Sequence, residues 1–200
     1  MKIILITLTV LTTLQLVSAQ ERLPREEALK VAFLVSADLK QLQNTPIPTD
    51  VDVKQPVAMR DGDYGGMVLP EAKLTREALA KAGEQVVPIG QLWLLKLTPV
   101  RDGAGIPGDK LRLVTLKHEG DEVTVSQCAL GVRRNGPDAL ELLVFGKDKE
   151  PLLKVPLKKI EAQQEPPIDL SAERTGDEGR ITLRILGKYE AGFLVTELGL

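Results

Sequence analysis

From about Val53 onward the chain is cut at short intervals by clusters of Gly, Asn, Asp and Pro, and between the cuts lie brief runs rich in Val, Ile, Leu and Thr. The clearest case is the C-terminal stretch, where "PIDLSAER" (167–174), the turn "TGDEG", "RITLRILG" (180–187) and "YEAGFLVTEL" (189–198) follow one another. Connections this short exclude parallel crossovers, which take about a dozen residues or more, so neighbouring strands must run antiparallel. Many short strands spaced by such turns define a sandwich or barrel. The pattern therefore predicts an all-β fold, an antiparallel sandwich of immunoglobulin-like or jelly-roll-like kind, with an N-terminal helix and one short inserted helix.

The other predicted strands are "PVAM" (56–59) and "MVLP" (67–70) around "RDGDYGG" (60–66), and a long apolar segment 86–100 bent at Gly90. They continue with 110–118 and 122–132 as a hairpin across Glu119-Gly120-Asp121, then 139–146 and 150–157. Alternation places Ile181, Leu183 and Ile185 on one side and Thr182 and Arg184 on the other, as on a sheet with one wet face. In 139–146 both sides are apolar, Leu140, Leu142 and Val144 against Leu143 and Phe145, which predicts a central strand covered twice, with either helix as the second cover. Gly187-Lys188 is expected to form a two-residue turn with glycine first.

Residues 24–42 read as the first helix, with Pro24 at its start, Glu26 and Glu27 near its positive end, and Leu29, Ala32, Phe33 and Leu39 at helical spacing. Residues 74–83 read as the second, capped by Thr75 and stopped by a left-handed Gly83. Before both, "MKIILITLTVLTTLQLVSA" joins one lysine to a 15-residue apolar run, Ile3 to Val17, and ends in small residues. This is the pattern of a cleavable signal peptide, cut between Ala19 and Gln20; the run falls short of the roughly 20 residues that span a bilayer core. The expected organisation is a leader at 1–19, a helical arm at 20–44 and a sandwich domain at 45–200, secreted or periplasmic, with no membrane contact after the cut. The proline-rich 45–56 marks the boundary, and is also a candidate strand to donate to another chain.

Without the leader and its Lys2, 25 basic side chains face 28 acidic ones, scattered along the chain. No basic stripe with interleaved aromatics exists, so nucleic acid is not expected as a partner. One histidine and one cysteine, His118 and Cys128, cannot build a tetrahedral zinc site, and no intrachain disulfide is possible. Cys128 reads as a small buried hydrophobe, with an intermolecular disulfide or a reactive thiol as the alternative. His118 reads as a solvated turn residue, and Trp93 in "QLWLLKL" as core.

"RDGAGIPGDK" (101–110) carries Gly103, Gly105 and Gly108 at the G-x-G-x-x-G spacing, followed by Lys110. Such loops hold phosphate where a helix follows and aims free N–H groups at the anion. Here the alternating "LRLVTLKH" follows, and Pro107 removes a donor, so the stretch reads as a surface hairpin loop. "RDGDYGG", with "TDVD" (49–52) upstream, is the most unusual polar cluster, but it lacks the later ligands of an EF-hand. No cofactor is expected. The predicted function is an exported, non-catalytic module binding a protein or an extracellular polymer, with Asp61, Asp63 and Tyr64 as candidate contacts, because polar loops on a rigid sandwich carry recognition. A carboxylate-dependent hydrolase of an extracellular polymer is the alternative.

Overall fold

A computed structural model describes residues 20–39, 45–118, 121–137, 139–176 and 178–199. The predicted leader lies outside them. In chain order the elements are β1 (Glu21–Arg22), α1 (Arg25–Leu39), β2 (Val57–Asp61), β3 (Tyr64–Pro70), α2 (Arg76–Ala80), β4 (Val87–Leu95), β5 (Leu97–Arg101), β6 (Ala104–Gly105) and β7 (Arg112–His118). They continue with β8 (Asp121–Arg134), β9 (Leu140–Phe145), β10 (Pro151–Pro156), β11 (Lys158–Lys159), β12 (Ile168–Thr175), β13 (Glu178–Ile185) and β14 (Tyr189–Glu197).

Two packed sheets result, and their ladders are antiparallel, as the turn spacing requires. The first runs β1-β2-β3-β4-β8-β9-β10, with β7 beside β8; the second runs β12-β13-β14-β5-β6, with β11 beside β14. Their facing sides form the main core, where Leu92, Leu94, Leu130 and Leu142 of the first sheet share a cluster with Ile168, Leu170, Leu183 and Ile185 of the second. The outer side of the second sheet is wet. Ile181, Leu183 and Ile185 are buried while Arg184 is exposed, bonded to Glu190 Oε2 at 2.9 Å.

The first sheet is covered on both sides. Helix α1 lies on the outer face of its β2–β4 half, and Ala28, Ala32 and Val35 pack there against Ala58, Met67, Leu69 and Trp93. The expected helical face is rotated: Phe33 is 57% exposed and Leu29 only partly covered. A helix seated on a sheet is held closest by its smallest side chains, so the two alanines set the contact. The side chain of Leu39 lies outside the described residues.

Strand β9 is buried at all six positions, as its sequence predicts. Its second cover is not a helix. Leu143 and Phe145 are roofed by Ile47 and Val86, which come from the flanking loop segments. The 45–56 stretch is tied to its own chain, through a bridge between Val51 and Glu71 and a hydrogen bond from the Asp52 amide to the Pro70 carbonyl at 2.8 Å.

Three local expectations need correction. The segment 86–100 is two strands in different sheets, broken at Lys96, whose φ of 55° throws the chain from the first sheet into the second. Gly90 instead marks a bulge in β4. Helix α2 is capped by the Thr75 hydroxyl, which accepts from the Ala78 amide at 3.1 Å, but it ends at a right-handed Lys81, where the Ala82 amide bonds the Leu79 carbonyl and buries Leu79. Gly83 is not left-handed; its carbonyl accepts from the Arg134 amide. The β13–β14 connection has three residues, with Leu186 and Gly187 both left-handed (φ 54° and 66°). The segment before β12 imposes this form: the Ala162 amide bonds the Gly187 carbonyl at 2.9 Å, and the Gly187 amide bonds Gln164 Oε1 at 3.1 Å.

Candidate functional site

Inward-facing positions of the sandwich are apolar until the strands reach one end, where they turn polar together. On β2 the inward series is Val57, Met59, then Asp61; on β12 it is Ile168, Leu170, Ala172, then Arg174; on β14 it is Phe193, Val195, then Glu197. Side chains two apart on a strand share a face, so the polar residues continue the core rather than leave it. β3 adds Tyr64 and, two residues on, the side-chain-free Gly66.

The missing side chain leaves a gap. A cavity of about 330 Å³ lies between the β2–β3 hairpin and strands β12 to β14, with Met59, Leu97, Leu170 and Ile181 among its apolar walls. A Cβ at Gly66 would stand 3.7 Å from Leu94 Cδ2 and 3.8 Å from Leu170 Cδ2, ordinary contact distances, so the space beside the glycine is open. At the mouth, Arg174 Nη1 approaches Asp61 Oδ2 at 3.5 Å, and the same guanidinium lies over the Tyr64 ring, 5.3 Å from its centre. Cation–π contact of this kind favours Arg on an aromatic face. Partial burial, then the neighbouring Glu197 carboxylate, hold the Tyr64 hydroxyl above its ordinary range of protonation. The cavity lining thus carries two carboxylates (Asp61, Glu197), three guanidiniums (Arg60, Arg174, Arg180) and one phenol around apolar walls.

Of the three residues proposed from sequence, Asp61 and Tyr64 face each other across the two-residue Gly62-Asp63 turn and both line this mouth. Asp63 stands apart at the turn tip, 83% exposed, and meets Lys96 Nζ at 3.2 Å. The acidic cluster is therefore split between two cations. Upstream, Asp52 closes its own turn, accepting from the Lys54 amide at 2.9 Å and from Gln55 Nε2 at 2.8 Å. Sequence reasoning missed Arg174 and Glu197. The available signal was the inward alternation itself, carried one step past the last apolar residue of β12 and β14.

The remaining candidates sit elsewhere. Cys128 faces the main core with no exposure, and burial pushes its thiol up to about 12. Trp93 is buried under α1 and donates its indole N–H to Gln91 Oε1 at 3.2 Å. The three-glycine stretch is a hairpin turn at Asp102-Gly103 between β5 and β6, then one 3₁₀ turn (Gly108–Lys110) leading into strand β7. His118 closes the β7–β8 ladder opposite Asp121; residues 119–120 and the side chain of His118 lie outside the described residues. No family model matches this chain, and no curated protein or solved structure matches it either.

Proposed function

We propose that this chain is an exported, non-catalytic binding module that takes one apolar group of a protein or extracellular polymer into the cavity at the end of its sandwich. The observation that carries this reading is the convergence of Asp61, Tyr64, Arg174 and Glu197, from four different strands, on the mouth of an apolar cavity of about 330 Å³. Ligand pockets are concave and mostly apolar, with a few placed polar groups that fix orientation, and run from about 300 to 1,000 Å³. This one is at the small end. It suits a single aromatic or branched apolar group, with the rim left to bond the polar backbone of the ligand.

Gly66→Leu tests the reading directly, because the new side chain points into the cavity and leaves the rim in place. Loss of binding of an apolar fluorescent dye, with circular dichroism unchanged, is the expected result. Undiminished dye binding would remove the cavity as the site. Capture of envelope or extracellular partners should also fall in an Asp61→Ala, Tyr64→Ala double variant that stays folded. The alternative, a carboxylate-dependent hydrolase, draws on Asp61 and Glu197 sharing one rim. Against it stands the occupation of both groups, Asp61 by Arg174 and Glu197 by the Tyr64 hydroxyl. Turnover of a polymeric glycan or ester that disappears in Glu197→Gln would favour the hydrolase.

A further inference from the structure

The beginning of the described chain is built into the same pocket. β1 pairs with β2 in the register Glu21↔Arg60 and Arg22↔Met59, so one step further along the ladder residue 20 stands across from Asp61. Facing residues share a side of the sheet. Arg22 accordingly shares the side of Met59, its Nη1 reaching Asp169 Oδ1 at the edge strand β12 at 2.9 Å, and Gln20 shares the side of Asp61 and lines the cavity. Gln20 Oε1 is buried there with no hydrogen-bond donor among the described residues. A buried acceptor left alone is costly, and this one lies across the ladder from the Asp61 carboxylate.

We propose that removal of the leader completes the site: hydrolysis of the Ala19–Gln20 bond leaves the α-amine of Gln20 as an added cationic donor on the pocket rim, on the strand position that faces Asp61. Water adds across the scissile C–N bond under a leader-removing peptidase. The new carboxylate departs with Ala19, and the Gln20 nitrogen stays and takes up a proton. A neutral amide with one N–H thereby becomes an ammonium with three, enough to meet the carboxylates and the stranded Oε1. The charged and titratable groups that line the cavity with it are Arg60 and Asp61 on β2, Tyr64 on β3, Arg174 on β12, Arg180 on β13 and Glu197 on β14, while Arg22 of its own strand is paired with Asp169. The chemistry of the amine stands by itself; only its role in binding rests on the function proposed above.

The test uses the exported protein. N-terminal sequencing and intact mass should give Gln20 as the first residue with no atoms lost. The α-amine, followed by its acylation rate against pH, should titrate above its ordinary midpoint of about 7.7–8.0, by roughly half a unit to one unit. Asp61→Asn should return it toward the ordinary value, and Glu197→Gln, which leaves the Arg174–Asp61 pair in place, should do so in part. Three results overturn the proposal: a different first residue, a mass short by one ammonia because Gln20 has closed on its own amine, or an ordinary midpoint that neither variant moves. A raised midpoint with no dye binding would sink the pocket reading and spare this one. Dye binding with an ordinary midpoint would do the reverse.

Discussion

Gly66 and Gly90 sit in neighbouring strands of one sheet, and the structure assigns opposite signs to the same substitution at the two positions. At Gly66 an added methyl meets Leu94 and Leu170 at 3.7 and 3.8 Å, and the glycine is not left-handed. Two favourable contributions then add. Burying one methyl is worth about 0.8 kcal/mol, and losing a glycine from the unfolded chain is worth about 0.4–1 kcal/mol. Gly66→Ala should therefore stabilise by roughly 1–2 kcal/mol, a rise of about 3–6 °C in Tm for a domain of this size. Gly90 has φ 149°, and its Cβ would collide with the Leu69 carbonyl oxygen and stand 3.0 Å from Pro70 Cα, which is backbone and cannot swing away. Strain and overpacking then make Gly90→Ala destabilising by about 2–5 kcal/mol. Urea titrations followed by circular dichroism give both values, and an unchanged m keeps the comparison between the same two states. If Gly66→Ala lowers the midpoint as Gly90→Ala does, the space beside Gly66 is not open, and the cavity argument fails with it.

Three further outcomes are expected. Ala32→Leu, which forces a larger side chain under α1 at a position with no exposure, should cost about 1–3 kcal/mol, whereas Phe33→Ser on the solvent side should stay within about 0.5 kcal/mol in thermal melts. Burial raises the Glu71 carboxyl above its ordinary 4.5, so the folded state holds that proton more tightly than the unfolded one, and ionisation of Glu71 works against the fold as pH rises through that window. Glu71→Gln keeps an acceptor for the Asp50 amide; its stability should match the wild type well below pH 4.5 and exceed it above, and a constant difference at all pH would refute the assignment. Cys128, buried and pushed up to about 12, should react with a maleimide at mildly alkaline pH only as fast as the protein unfolds, so labelling of the native protein at the rate of a free thiol would contradict its place in the core.

The turns were legible because their chemistry is local. Gly62 before Asp63 and Gly176 after Thr175 close hairpins whose register then follows from alternation. The face of α1 was not, because size misleads where a helix lies flat on a sheet: Phe33 and Leu29 look like anchors, yet the alanines make the closer contact. Lys96 was hidden for a different reason. Alternation runs on through 86–100, and only a lone lysine in an apolar stretch marks the place where the strand changes sheet. Half of the candidate mouth was visible as the polar turn carrying Asp61 and Tyr64. Arg174 and Glu197 were not, since they belong to strands more than a hundred residues away and meet the turn only after the sheets close.

Lys96 and Leu157 each carry the backbone from one sheet to the other in a single residue, and both deliver it to the edge of β14 that faces away from β13 and β12. The opposite flank, where β12 lies against β2 and β3, is held across by Arg22–Asp169 and Arg174–Asp61. The molecule is accordingly a clam with a covalent spine and an ionic latch. Concentrated salt screens the latch and leaves the spine untouched, so breathing motions of the two shells should widen the chamber on one flank alone.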